Sequence, residues 1–141
     1  AGCDKITSSE SALLRPEDFE TFIMSGLGRE VVQAAKAGRL HRETPFVLQV
    51  GADVIDPSYP GDAAVLVQGI IDAWFECDDG IVLVDYKTDR ADQAADPEGT
   101  MLLKHYRIQL ELYKEALERL TAKHVKEVWI WSFALGRALR L

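Results

Sequence analysis

The feature that most restricts the fold is a pair of apolar segments, residues 64–76 and 81–87, separated by the dipeptide Asp79-Gly80. In the first segment both alternating faces carry large apolar side chains. Such a segment is typical of a strand in the middle of a sheet that has helices on both sides. Asp-Gly is a frequent two-residue turn between antiparallel strands. The two segments therefore predict a β-hairpin that is buried on both faces.

Three ionisable side chains interrupt this apolar hairpin: Asp72, Asp85 and Lys87. With the Asp-Gly dipeptide as the turn, Asp72 is predicted opposite Lys87 and Trp74 opposite Asp85. Opposed residues of antiparallel strands share a face, and so do residues two apart on one strand. We therefore expect the three charged groups to project from one face, roughly 5–8 Å from one another. A three-residue turn or a bulge would instead send Asp72 to the other face.

The rest of the chain supplies helices and further strands. Helices are predicted from Arg15-Pro16 to a break at Ser25-Gly26, over 29–37 with Gly38 as the C-cap, and over 101–122. Strands are predicted over 40–50 and 125–134, and loops over 51–62 and 88–99. This order of elements predicts an α/β fold with a mixed sheet rather than an all-parallel one.

Composition limits the class of protein. The 141 residues, 48% of them hydrophobic, suffice for one domain with a core, and no apolar run reaches the roughly 18 residues of a membrane span. We interpret residues 1–15 as a flexible leader and 16–141 as a single domain cut from a larger protein. Two cysteines without a CxxC motif are too few for a zinc or iron–sulfur site, and we expect reduced thiols in a cytoplasmic protein. The net charge of −7 disfavours a classical DNA-binding domain but not an enzyme that holds cations.

The residues alone leave two interpretations of the three convergent charges. Carboxylates are hard oxygen ligands suited to Mg²⁺ or Mn²⁺, and a cation would compensate for their burial. Such an ion would polarise a phosphoryl oxygen and lower the pKa of a bound water, which the lysine would orient or help to deprotonate. The alternative is a salt bridge between Lys87 and either aspartate, with no metal.

The motifs, taken in order, resemble the signature of RecB-family nucleases, which belong to the PD-(D/E)XK nuclease superfamily. That signature reads G-x-I-D, D-x-K and Q-x-x-x-Y. The chain has residues 69–72 (GIID), 85–87 (DYK) and 109–113 (QLELY) on the predicted strands and the long helix. The resemblance covers residues 16–141 and is strongest to the C-terminal nuclease domain of AddA-type (RexA-like) helicase–nuclease subunits. It implies a restriction-endonuclease-like mixed sheet flanked by helices.

The resemblance also implies a function. The chain would be a metal-dependent DNA exonuclease domain that cleaves phosphodiesters by metal-activated water. Its parent would be an ATP-dependent helicase–nuclease complex for double-strand break repair and recombination. DNA would be bound without sequence preference, a second helicase–nuclease subunit would be a partner, and no membrane would be involved.

Individual roles follow from the same resemblance. The catalytic set would be Asp72, Asp85, Lys87, Gln109 and Tyr113. The ligands of Mg²⁺ or Mn²⁺ would be the two aspartates and the backbone carbonyl of Tyr86. Gln109 and Tyr113 are four apart on one helical face and would support the lysine or contact DNA, with core packing as the alternative for the tyrosine. Candidate phosphate contacts, or plain surface charges, are Arg90, Lys104, Arg107 and Lys114.

One departure from the family pattern is a missing histidine. The family usually places a G-x-x-x-H helix before the sheet, and its histidine is a further metal ligand. Here His41, His105 and His124 stand in other contexts, and Glu43 is either an extra acid near the site or a plain strand-start glutamate. Two alternatives therefore stay open: a weakly active or inactive docking or DNA-binding module of the same fold, and a standalone phosphodiesterase acting on RNA or another nucleic acid.

Overall fold

The computed structural model describes residues 15–88 and 96–141. The predicted leader, residues 1–15, lies outside the described residues apart from Arg15, and so do Cys3, Arg90 and most of the predicted 88–99 loop. Within the described ranges, no helix has both the length and the apolar character needed to cross a bilayer.

Five strands form one mixed sheet in the order β1-β2-β3-β4-β5. The elements in chain order are α1 Pro16–Met24, α2 Gly26–Lys36, β1 Leu40–Gly51, α3 Ala52–Ile55, β2 Ala64–Cys77, β3 Gly80–Lys87, α4 Thr100–Thr121, β4 Val125–Ser132 and β5 Arg137–Arg140. Neighbouring strands are antiparallel except β3 and β4, which are parallel and are connected through α4. A parallel pair requires a crossover of this kind. The architecture confirms the predicted mixed α/β fold.

Helices cover both faces of the β2–β3 hairpin, as its two apolar faces predicted. On one face Leu83 packs in a cluster with Leu110 and Leu117 of α4, and all three are 0% exposed. On the other face Val84 packs in a cluster with Leu27 of α2. Full burial of one such side chain is worth about 1.5–3 kcal/mol. The hairpin is therefore held from both sides by the hydrophobic effect.

The turn of this hairpin lies one residue earlier than predicted. Asp78 and Asp79 form the loop, and Gly80 already pairs with Cys77 as the first residue of β3. Gly80 has a φ of 151°, and a Cβ at this position would lie 2.9 Å from the carbonyl oxygen of His124. The glycine is thus needed for the close approach of the chain entering β4, and not for the turn itself.

The shifted turn changes the partners of the ionisable residues but not their common face. Trp74 pairs with Leu83, so the predicted opposition of Asp72 to Lys87, and of Trp74 to Asp85, is wrong. Because the register moves by two residues, an even number, each side chain keeps its face. Asp85 and Lys87 consequently share the α4 face with Leu83.

A break in the β1–β2 ladder lies at Glu43 and Asp72. The ladder is paired on either side of them but not at these two residues. Glu43 has a left-handed backbone with a φ of 53°, which costs a residue other than glycine roughly 1–2 kcal/mol. Leu40 packs on the α2 cluster and Phe46 on the α4 cluster, although both are even-numbered residues of β1. The ribbon of β1 and β2 therefore turns over at this break.

Strand β2 also separates from β3 at this point. The β2–β3 pairs run from Cys77 with Gly80 back to Ala73 with Val84, and Asp72 is the next residue of β2. Beyond Asp72, the outer halves of β1 and β2 continue as a two-stranded ribbon that packs on α4. The separation leaves room beside β3 for the Asp72 carboxylate.

Three other elements differ from the prediction. Helix α2 begins at Gly26 rather than at residue 29, because the Ser25 hydroxyl accepts a hydrogen bond from the Gly28 N–H as an N-cap. A Cβ on Gly28 would lie 1.7 Å from the carbonyl oxygen of Phe22, so this glycine lets α1 and α2 pack closely. The predicted tail contains strand β5, and the predicted 51–62 loop begins with the single-turn helix α3.

Candidate active site

Asp72 and Asp85 are buried together on the α4 face of the sheet, and each is 3% exposed. Their carboxyl groups are within hydrogen-bond reach of each other. The backbone N–H of Tyr86 donates to Asp72 Oδ2 at 2.9 Å, so the separated end of β2 still contacts β3 through this side chain. The two strands thereby bring both carboxylates and the Tyr86 backbone to one place.

The electrostatics of the pair favour one negative charge over two. Burial, followed by the negative charge of Asp85, raises the pKa of Asp72 to about 7, while the hydrogen bond from the Tyr86 N–H opposes the rise. A carboxyl group with a pKa near 7 exists partly as the neutral acid at neutral pH. A divalent cation between the two groups would favour the charged form and reverse this effect.

The Lys87 ammonium lies between the sheet and α4. Its Nζ is 2.9 Å from Asp85 Oδ2, donates to Gln109 Oε1 at 2.9 Å, and belongs to a side chain that is 14% exposed. The angle of approach to Asp85 does not make a hydrogen bond. Asp85 Oδ2 is therefore buried without a hydrogen bond from any of the described residues. A buried carboxylate oxygen in this state is costly and marks a position suited to a further positive group.

The two motif residues of α4 occupy different environments. Gln109 reaches the site directly through its bond to Lys87. Tyr113, one turn later, is 5% exposed and packs edge-on to Phe46 with ring centroids 5.3 Å apart. A Cβ on Gly69 would lie 3.3 Å from the Tyr113 ring, so the glycine of the G-x-I-D motif makes room for the aromatic pair. Tyr113 thus has the core contacts that the packing alternative anticipated.

Tyr106 contacts the site, whereas the sequence reasoning assigned it only to the apolar stripe of the long helix. The Lys87 Nζ lies over its ring, 3.9 Å from the centroid. Tyr106 precedes Gln109 by three residues and therefore lies on the same side of α4. The available signal was this spacing, since Tyr106, Gln109 and Tyr113 form one stripe that faces the strand with the D-x-K motif.

The other sequence candidates lie apart from the aspartate pair. Across residues 15–88 and 96–141, no group of three or more histidine, cysteine or acidic side chains is placed to hold a metal. The histidines have other contacts: His41 stacks on Trp74, His105 lies against Tyr106, and His124 is 3.2 Å from Glu118. Glu43 is exposed at the ladder break, Lys104 and Arg107 are exposed on α4, and Lys114 is half-buried there.

The residues present nevertheless fit a hard divalent cation. Mg²⁺ in phosphoryl-transfer sites is commonly held by one or two carboxylates, with water and substrate phosphate as the remaining ligands. Asp72 and Asp85 supply two carboxylates, and Asp85 Oδ2 accepts no hydrogen bond within the described ranges. When both acids are ionised, the single ammonium of Lys87 leaves the group with a net negative charge. The chemistry of this donor set therefore suits Mg²⁺ or Mn²⁺.

A comparison with protein families tests the resemblance that the motifs suggested. The sequence model of the PD-(D/E)XK nuclease superfamily matches residues 8–138, which include the hairpin, α4 and the strands around them. The chain belongs to the PD-(D/E)XK nuclease superfamily. The recognition made from the G-x-I-D, D-x-K and Q-x-x-x-Y motifs is thereby confirmed, and the five-stranded mixed sheet agrees with the fold of that superfamily.

Curated relatives of this PD-(D/E)XK chain are named as ATP-dependent helicase/nuclease subunits, of the AddA type. Such proteins are 34% identical over 141 residues in Clostridium perfringens (strain ATCC 13124), 38% over 136 residues in Syntrophomonas wolfei and 35% over 141 residues in Alkaliphilus oremlandii. Each match covers 96% of this chain but only 10–11% of the relative. The chain is thus similar to AddA-type helicase–nuclease subunits and spans about a tenth of their length.

Proposed function

We propose that residues 16–141 are the nuclease domain of a helicase–nuclease and hydrolyse DNA as a metal-dependent exonuclease. The observation that carries the proposal is the convergence of Asp72, Asp85 and Lys87 at a buried point where Asp85 Oδ2 accepts no hydrogen bond from the described residues. Burying charges is costly, and apolar side chains would serve a purely structural domain at least as well. The arrangement is therefore better explained by chemistry than by stability.

In this proposal Asp72, Asp85 and the backbone carbonyl of Tyr86 hold Mg²⁺ or Mn²⁺. The Tyr86 N–H points at Asp72, and the C=O of a strand residue lies on the same side as its N–H, which supports the third ligand. When bound, the ion supplies the positive charge that polarises a phosphoryl oxygen and lowers the pKa of the attacking water.

The part of Lys87 is to keep a positive charge beside the scissile phosphate. Gln109 anchors the ammonium from the helix and Asp85 attracts it from the strand, so Nζ is held next to the carboxylates. An ammonium in this position orients the water and stabilises the negative charge that develops on the phosphoryl group. Removing one preorganised electrostatic group of this kind typically lowers kcat about 100- to 1,000-fold.

The proposed substrate is DNA, bound without sequence preference. Lys104 and Arg107 are exposed on α4, the helix that covers the site, and are candidate contacts to phosphates. Since the chain has a net charge of −7, most of the basic surface would come from the rest of a larger protein or from a second helicase–nuclease subunit. The proposal includes this partner, a role in double-strand break repair and recombination, and a cytoplasmic location.

A second candidate function is a docking or DNA-binding module of the same fold that cleaves weakly or not at all. Two observations favour it: the aspartate pair has no third histidine, cysteine or acidic ligand within the described residues, and the chain is acidic. In such a module the contact between Lys87 and Asp85 would be a structural ion pair, and a bound metal would not be required.

Cleavage assays with a matched lysine control separate these functions. The chain, its Lys87→Ala variant and its Lys123→Ala variant are incubated with linear and circular DNA, single- and double-stranded, in Mg²⁺, Mn²⁺ or EDTA. Lys123 is the control because it forms an exposed ion pair with Glu76 near the hairpin turn, 2.8 Å long. The proposal predicts metal-dependent loss of linear DNA from its ends, about 100- to 1,000-fold slower in Lys87→Ala and unchanged in Lys123→Ala.

Each other outcome has a distinct meaning. Metal-dependent cleavage that is equally fast in Lys87→Ala contradicts the role of the lysine. DNA binding without cleavage by the unaltered chain favours the docking module. Preferential cleavage of RNA would support the phosphodiesterase alternative, and cutting of circular DNA would contradict an exclusively exonucleolytic action.

A further inference from the structure

The ring of Tyr106 forms one side of the enclosure around the Lys87 ammonium. The distance from Nζ to the ring centroid is 3.9 Å, a range in which the negative face of an aromatic ring attracts a cation. Tyr106 is half-buried and packs against the core cluster on the α4 face of the sheet. Packing thus fixes the ring, while its face lies against the lysine.

The ammonium is attracted from two opposite sides. Asp85 attracts it from the strand, whereas Gln109 Oε1 and the Tyr106 ring attract it from the helix. Lysine ends in a compact point charge on a flexible four-carbon stem, so its position depends on such anchors. If the helix side lost its attraction, Nζ would move fully onto Asp85 Oδ2, the oxygen that a divalent cation would use.

We propose that Tyr106 is a positioning residue for Lys87, whose ring face holds Nζ on the α4 side, beside Asp85 Oδ2 but not hydrogen-bonded to it. Its catalytic consequence rests on the proposed nuclease function, whereas its structural content does not. The operative group is the ring and not the hydroxyl. A phenylalanine at position 106 therefore keeps the effect, and a leucine loses it.

Proton NMR of the metal-free chain tests the structural content. Protons over the face of an aromatic ring are shielded, so the ε-methylene signal of Lys87 is expected upfield of the signal of the exposed Lys123. The shift persists in Tyr106→Phe and disappears in Tyr106→Leu. An unshifted Lys87 signal in the unaltered chain overturns the proposal, whatever its activity and whether or not the variants fold.

Cleavage kinetics test the catalytic consequence. Tyr106→Leu is expected to lower kcat roughly 3- to 30-fold with little change in KM for DNA, which is the range for a partly desolvated cation–π contact. Tyr106→Phe restores the rate of the unaltered chain, and Tyr59→Leu, at an exposed position in the 51–62 loop, leaves it unchanged. Equal losses in the Phe and Leu variants overturn the role of the ring. Loss of sensitivity to Lys87→Ala would instead overturn the proposed function, and the NMR result would still decide the position of the lysine.

Discussion

Replacing Asp72 with asparagine should abolish a specific pH dependence of stability. Asp72 is 3% exposed, and burial together with the charge of Asp85 raises its pKa to about 7. In the unfolded chain the same carboxyl group titrates near its ordinary pKa of 3.8. Between these two values the folded state binds a proton that the unfolded state has lost, so folding is linked to protonation of this one side chain.

The sign and the size of the effect follow from the two pKa values of Asp72. The stabilisation is fully present below pH 4, falls as the pH rises through the folded pKa of about 7, and is absent at higher pH. Each tenfold difference in proton affinity corresponds to about 1.36 kcal/mol, so the complete change is about 4 kcal/mol. An asparagine side chain cannot ionise, and the Asp72→Asn variant should therefore gain about 4 kcal/mol relative to the unaltered chain between pH 4 and pH 8.

Urea denaturation followed by tryptophan fluorescence, in EDTA and at several pH values, measures this difference. The chain has three tryptophans to report the transition. The exposed Asp62, changed to asparagine, is the matched control for replacing one aspartate at the surface. If the free energies of unfolding of the unaltered chain and Asp72→Asn ran parallel from pH 4 to pH 8, Asp72 would not be the buried, proton-sharing acid described above.

Three further predictions test the surroundings of the site. Gly69→Ala should destabilise the chain by about 1–3 kcal/mol in urea denaturation, because a Cβ would lie 2.8 Å from the Phe46 ring; an unchanged midpoint would mean that the strands adjust freely. Glu43→Gly relieves a left-handed backbone whereas Arg42→Gly does not, so the first variant should be more stable by about 1–2 kcal/mol, and equal stabilities would contradict the break at Glu43. Mg²⁺ should raise the melting temperature more at pH 8 than at pH 6, since protons compete for Asp72, and should have no effect on Asp85→Asn; a pH-independent increase kept in that variant would place the ion elsewhere.

The alternation of side chains made the common face of the charged residues predictable from sequence. The turn was placed at Asp79-Gly80, one residue late, yet a two-residue error in register leaves every side chain on its own face. The position of the turn was not predictable because Gly80 is required by the approach of the β4 chain, a tertiary contact that local turn preferences do not include.

The break at Glu43 and Asp72 gave no comparable signal in the sequence. A strand that is apolar on both faces looks the same whether or not it turns over part-way, so the pattern could not reveal where β2 leaves β3. The role of Tyr106 was hidden for a related reason. A tyrosine in the apolar stripe of a helix is expected to pack in the core, and only the position of Lys87 shows which group its ring faces.

The most direct test of the proposed site is a titration of the isotopically labelled chain with Mn²⁺, followed by NMR. The central claim is that Asp72 and Asp85 share one divalent cation, and a paramagnetic ion broadens the signals of nuclei close to it. We predict that the amide signals of residues 71–73 and 84–87 broaden first, and that Asp85→Asn removes this pattern. Broadening centred instead on exposed acids such as Glu17 and Glu20 of α1, and unchanged in Asp85→Asn, would contradict the claim.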